Sequence, residues 1–290
     1  MISQETVWKE IWPVVETLIQ ATVAEDPEAI GRLLAPNEQA AEMLDLFGFA
    51  VFDILLKTVL GREQLGVTRA VETENGRYVH IEYAWPEPGQ KDNSYTAADV
   101  VAVRLEQVEG AWRVVEINPA SADLPLTGGR ARGILASSKA LSEKDKVPAE
   151  PWILPVALYG GLLQIPVQAT AMDDAVEELL LPGLQHRTYG VMSLLRGRRL
   201  WRDFKAAAQP HLGQPAGWAA AVEFIVSEQN MRSQTQAAAA KNYKVNLSTL
   251  VPRVRQIKKM LNIQGLDERY TDLQTTQIVY TDQGHERVKR

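Results

Sequence analysis

Residues 215–263, PAGWAAAVEFIVSEQNMRSQTQAAAAKNYKVNLSTLVPRVRQIKKMLNI, read as three short helices and a tight turn. The first starts after Pro215 and runs GWAAAVEFIVSEQ, with Trp218, Val222 and Ile225 on one face. The second is capped by Thr235 or Ser233 and runs QAAAAKNY; its alanines allow a neighbouring helix to approach closely. Tyr243-Lys244-Val245 forms the turn, and Asn246 is a good N-cap for the third helix. On that helix Leu247, Leu250, Val254, Ile257 and Leu261 fall within about 80° of one another, an inward stripe. The opposite face carries Ser248, Thr249, Pro252, Arg255, Gln256 and Lys259, flanked by Arg253 and Lys258.

That face is suited to a nucleic-acid groove. Hydroxyl and amide groups read base edges, while Lys and Arg hold phosphates. Between Gln229 and Leu266 there is no acid, but there are seven bases: Arg232, Lys241, Lys244, Arg253, Arg255, Lys258 and Lys259. Upstream, RGRRLWRDFK adds Arg196, Arg198, Arg199, Arg202 and Lys205 against Asp203 alone, a second basic face.

The stretch resembles a helix-turn-helix DNA-binding domain. It is similar to the trihelical units of bacterial regulators, of sigma-factor C-terminal regions and of the second cyclin-like repeat of transcription factor IIB. Thr235-Gln236 and Ala240 fit that family's second helix; Tyr243, Val245, Ser248-Thr249, Leu250 and Arg253 fit its turn and recognition helix. The resemblance implies phosphate contacts from Lys241, Lys244, Arg253, Arg255, Lys258 and Lys259, and base contacts from Ser248, Thr249 and Gln256. Two residues depart from the pattern. Lys244 stands where the turn usually has glycine, so a positive φ is expected there. Pro252 costs a hydrogen bond if the cap is Asn246 and little if the cap is Ser248.

Working outward, residues 5–25 repeat apolar side chains at helical spacing, from Val7 and Ile11 to Leu18 and Ala21 or Thr22. Asp26-Pro27 opens a second short helix, and Pro36-Asn37 a third from about Glu38 to Leu60, ending at Gly61. The period then becomes two. Val79, Ile81, Tyr83 and Trp85 alternate with His80, Glu82 and Ala84, and Val101, Val103 and Leu105 with Ala102, Arg104 and Glu106. Glu109-Gly110 turns the chain into a strand in which Trp112, Val114 and Glu116 face away from Arg113, Val115 and Ile117. Helices followed by antiparallel strands predict an α+β domain over 1–126.

The closing hairpin, VRLEQVEGAWRVVEINPA, resembles the polyketide-cyclase-like, nuclear-transport-factor-two-like cone fold, helices on a curved antiparallel sheet. That likeness implies a pocket, with Asp53, His80, Tyr83 and Asp99 as candidates to line it. Residues 127–150 read as a linker, and 151–270 as an all-α domain with helices at 173–181 and 186–208 broken at Pro182-Gly183. Residues 271–290 are expected to be a flexible tail.

Composition narrows the function. Residues 1–126 carry 21 acids and 9 bases, net −12; residues 127–290 carry 15 acids and 22 bases, net +7, which suggests two modules with an anionic partner for the second. The absence of cysteine removes disulfides, thiolate nucleophiles and cysteine-ligated metals, and favours a cytoplasmic location. The four histidines, at 80, 186, 211 and 285, show no metal-ligand spacing, and no nucleophile elbow, phosphate loop or dinucleotide fingerprint is present. No metal or cofactor is expected. Pro151–Met172 is uncharged for 22 residues, but Pro155, Gly160, Gly161 and Pro166 argue against a membrane span. The expectation is a dimeric transcriptional regulator that binds double-stranded DNA, with an N-terminal dimerisation or small-molecule-sensing domain. The alternatives are a pocket enzyme or carrier of the cyclase type, and a protein adaptor that docks through the third helix.

Overall fold

The computed structural model describes residues 4–57, 64–73, 78–84, 94–95, 100–119, 129–130, 134–137, 153–272, 276–281 and 284–289. The chain divides into two compact units, Met1–Leu158 and Tyr159–Arg290. The first combines helices with antiparallel strands, so the molecule is α+β.

In the first unit, a π-helical turn (Val7–Ile11) leads into α1 (Trp12–Val23), which buries Trp12, Val15, Leu18, Ile19 and Thr22 along one stripe. Asp26 caps α2 (Pro27–Leu33) by accepting the Ala29 N–H at 2.9 Å, as its Asp-Pro sequence predicts. The expected third helix is two, α3 (Gln39–Phe47) and α4 (Phe49–Lys57). Gly48, at φ 66°, breaks it with a backbone angle that other residues adopt at a cost.

The strands β1 (Gln64–Thr73), β2 (Tyr78–Ala84), β4 (Val100–Val108), β5 (Ala111–Pro119) and β7 (Ile134–Ser137) form an antiparallel sheet ordered β5-β4-β2-β1-β7. A two-stranded ladder joins β3 (Ser94–Tyr95) to β6 (Gly129–Arg130). β1 escapes a period-two reading because its register shifts between Val67 and Arg69. β5 also departs from strict alternation. Leu105 pairs with Val114 and Arg104 with Glu116, so Val115 is an inserted residue, and Val114 and Ile117 share a side. Val114, Val115 and Ile117 are all fully buried, with Val115 packed on Ala35.

Helices α1 to α4 pack on β5, the edge strand. Its outward backbone groups are satisfied from the helical side: Ala35 N–H donates to the Val114 carbonyl at 2.8 Å, and Ile117 N–H donates to Gln39 Oε1 at 3.1 Å. Gln39 Nε2 also donates to Asn118 Oδ1 at 3.0 Å. Such cover protects an edge from pairing with another chain.

Residues 127–150, expected to be a linker, contribute β6 and β7, and the unit boundary falls after Leu158. The edge of β1 offers unpaired backbone groups that Ile134–Ser137 takes up, a long-range pairing that local composition does not report. The uncharged segment from 151 contains α5 (Ile153–Gly160) and a single 3₁₀ turn (Ala169–Ala171). Among the described residues no helix is long and apolar enough to cross a membrane.

In the second unit, α6 (Ala175–His186) runs unbroken through Pro182; the break comes later, at Thr188, whose φ is 58°. Gly183 marks a contact: a Cβ there would lie 2.5 Å from Arg187 Nη2 and 2.7 Å from Tyr243 Oη. Next come α7 (Val191–Ala208), α8 (Pro215–Gln229), α9 (Gln236–Asn242) and α10 (Leu247–Met260). α8 has no single apolar face. It is buried nearly all round, against α6, α7, α9 and α10.

Residues 271–290, expected to fray, begin in the core. Thr271 is 4% exposed and donates to the Gln229 carbonyl, while the Asp272 N–H donates to Asn230 Oδ1. Buried Tyr270 donates to Asp203 Oδ2 at 2.7 Å. A hairpin of β8 (Thr276–Thr281) and β9 (Gly284–Lys289) follows.

Candidate nucleic-acid interface

Helices α9 and α10 carry the candidate surface. Thr235 caps α9, accepting from Ala238 N–H at 3.1 Å, and Ala239 and Ala240 bury its inner side. The turn closes through Val245 N–H to the Ala240 carbonyl at 3.0 Å and Lys244 N–H to the Lys241 carbonyl at 3.1 Å. Lys244 has φ 55°, the left-handed angle its position demands. α10 starts from Asn246, whose side chain makes no cap bond, so the cap is Asn246 rather than Ser248, and Pro252 lies inside the helix. Leu250, Val254 and Ile257 bury the inner side; Leu247, placed in the inward stripe by spacing, is 47% exposed.

Opposite the core, Ser248, Pro252, Arg255, Gln256 and Lys259 are all exposed. At 100° per residue they fall within about 100° of one another. Lys241 and Lys244 are exposed beside them, on the end of α9 and the turn. Among the described residues no acid pairs with Lys241, Lys244, Arg255 or Lys259. Six of the nine proposed contact residues therefore present their side chains outward.

The other three are engaged inside the unit. Arg253 stacks over the Trp218 ring at 4.9 Å, donates to the Thr249 carbonyl at 2.9 Å and reaches Gln214 Oε1 at 3.2 Å. Burial lowers its pKa. Thr249 packs where α8 and α10 cross; a Cβ on Gly217 would meet its Cγ2 at 2.8 Å. Lys258 pairs with Glu228 of α8 at 2.7 Å. Arg253, Thr249 and Lys258 hold α10 on α8, because flanking positions of a half-buried helix lie against its neighbour.

The upstream basic run is absorbed in part, with Arg199 left exposed. Arg198 is 3% exposed and donates to the Ala171 carbonyl at 2.6 Å; Arg202 pairs with fully buried Glu177 at 2.9 Å; Lys205 pairs with Asp174 at 2.8 Å. Arg232 lies over the Tyr189 ring at 3.9 Å and donates to the Thr188 carbonyl at 2.9 Å.

Spacing alone did not single out Glu223. Its carboxylate is fully buried on α8 and accepts from five donors: Arg187 Nε at 2.7 Å and its Nη2, Gln234 Nε2 at 2.7 Å, Asn242 Nδ2 at 3.1 Å and Tyr243 Oη at 2.6 Å. It ties the α6–α7 connection to the α9–α10 turn. Burial opposes the charge on Arg187 most strongly, but the Glu223 hydrogen bond and the charge interactions with Tyr243, Glu223 and Tyr189 together raise its pKa. Burial and the Glu223 charge drive the Tyr243 phenol far above its usual range, keeping it a neutral donor. The available signal was an acid set between apolar neighbours, Ala219 to Val222 and Phe224 to Val226, which needs partners when buried.

The described pocket candidates of the first unit stand on two elements, α4 and β2. Asp53 is half-buried on α4. On β2, His80 is the register partner of Arg104 and Tyr83 of Val101. Asp99 lies outside the described residues. No family model, curated protein or solved structure matches this chain.

Proposed function

We propose that the chain is a cytoplasmic, dimeric regulator that binds double-stranded DNA, with α9, the Lys244 turn and α10 as its helix-turn-helix. The observation that carries this reading is the exposed stripe of Ser248, Arg255, Gln256 and Lys259, flanked by Lys241 and Lys244 and free of acids. Lysine and arginine neutralise phosphates, while Gln256 and Ser248 supply hydrogen-bonding groups for base edges. The unit Met1–Leu158 is the dimerisation or ligand-sensing module in this scheme. A dimer would set two α10 helices about 34 Å apart, one turn of duplex.

The test is a mobility shift of the full chain on random-sequence duplexes at two salt concentrations. Expected are retarded complexes that weaken steeply with salt and weaken further in Arg255→Ala/Lys259→Ala. Salt-independent retention, or no effect of the double substitution, would overturn the reading. A second reading, protein docking through the same helix, is favoured by Leu247 and Met260, 47% and 48% exposed at its two ends. Loss of a co-purifying protein in Leu247→Ser, with no DNA retarded by the wild type, would establish that reading instead.

A further inference from the structure

Pro252 lies in the middle of the exposed stripe of α10. Because the helix is capped at Asn246, Pro252 is beyond the first turn, where a missing N–H costs nothing. At this point an α-helix asks residue 252 to donate to the carbonyl of residue 248. Proline has no N–H to give, and its ring presses on that same carbonyl. The Ser248 carbonyl is left without its helical donor, and carbonyls on the solvent side of a helix tilt outward. Ser248 and Pro252 are both exposed and one turn apart, on the side that carries Arg255, Gln256 and Lys259.

This arrangement changes the chemistry of the stripe. Arg255 and Lys259 only donate hydrogen bonds, while Gln256 and the Ser248 hydroxyl can donate or accept and turn to suit. A main-chain carbonyl is an acceptor only, and its direction is fixed by the backbone. Resting on the DNA-binding reading, we infer that Pro252 is a specificity-determining residue. It frees the Ser248 carbonyl to accept a hydrogen bond from an exocyclic amino group in the major groove. Adenine N6 and cytosine N4 are the groups that offer such a donor there. A costly residue in the helix interior then has a use at the one surface where an added acceptor distinguishes base pairs.

The experiment compares the full-length wild type with Pro252→Ala, Ser248→Ala and Arg255→Ala/Lys259→Ala. Each protein is used to select bound duplexes from a random-sequence pool, and its melting temperature and the salt slope of binding are measured. In the wild-type site one position is expected to require adenine or cytosine. Pro252→Ala, which restores the N–H, should melt higher, keep the salt slope, bind the wild-type site about tenfold more weakly and accept any base at that position. Ser248→Ala keeps the carbonyl and should keep the requirement. If Pro252→Ala retains the wild-type affinity and preference while Arg255→Ala/Lys259→Ala loses binding, the proline inference alone falls. If Ser248→Ala abolishes the requirement, the hydroxyl is the reader and the inference falls likewise. If no protein in the set, wild type included, retards any duplex, the DNA-binding reading fails and takes this inference with it.

Discussion

At the residue scale, Glu223 shows how one buried charge organises its surroundings. A carboxylate with no solvent exposure must be matched by donors, and its five come from residues 187, 234, 242 and 243. Arg187→Met strands that charge and is expected to cost about 3–5 kcal/mol in urea unfolding. Tyr243→Phe keeps the ring and removes one bond to the charged group, so a loss of about 1.5–3 kcal/mol is expected in the same assay. The phenols make stability sensitive to alkali. Burial, reinforced by Glu223, pushes Tyr189 from 10.0 up to about 12. In this window the unfolded chain loses a proton that the folded chain keeps, so stability is full below pH 10 and falls as pH rises towards 12. Urea midpoints across pH 8–11.5 should show that decline beginning near 10, and Tyr189→Phe should soften it. A flat profile in the wild type would contradict the assignment.

At the element scale, the second unit depends on backbone approaches that leave no room for a side chain. A Cβ on Gly190, the residue that begins α7, would lie 1.8 Å from the Tyr159 carbonyl oxygen. Gly190→Ala therefore has to push the Tyr159 carbonyl away from the start of α7, a displacement expected to cost about 3 kcal/mol and read as a lower urea midpoint. α10 is held differently, by side chains. Arg253 on Trp218 and Lys258 on Glu228 fix it to α8 and leave Arg255, Gln256 and Lys259 pointing outward. Flanking cations anchor the helix, and the cations at the centre of the outer face are the ones available to a partner.

At the scale of the whole molecule, charge is segregated along the chain, net −12 in residues 1–126 against +7 in residues 127–290. Much of the positive charge is spent internally, on Glu177, Asp174, Glu223 and Glu228. What remains outward on α9, the turn and α10 sets the electrostatic footprint. On the proposed DNA-binding reading each phosphate neutralised adds about 0.9 to the salt slope, so Arg255→Ala/Lys259→Ala should reduce that slope by about 2 in titrations of the full chain. Arg253→Ala should instead reduce stability with little change in slope, because that guanidinium is already committed to Trp218 and Thr249.

Features set by neighbours a few residues apart were legible in the chain's residues alone. The Asp26 and Thr235 caps and the strained angle at Lys244 follow from local backbone and side-chain chemistry. The outward position of Ser248, Gln256 and Lys259 likewise follows from the helical period. Packing between distant segments settled which cations are consumed, since Arg202 meets Glu177 and Arg187 meets Glu223 across long stretches of chain. It also decided that Ile134–Ser137 completes a sheet and that the Val115 bulge turns Ile117 inward. Pairings of that kind depend on loop closure and packing between distant segments, which no local pattern encodes.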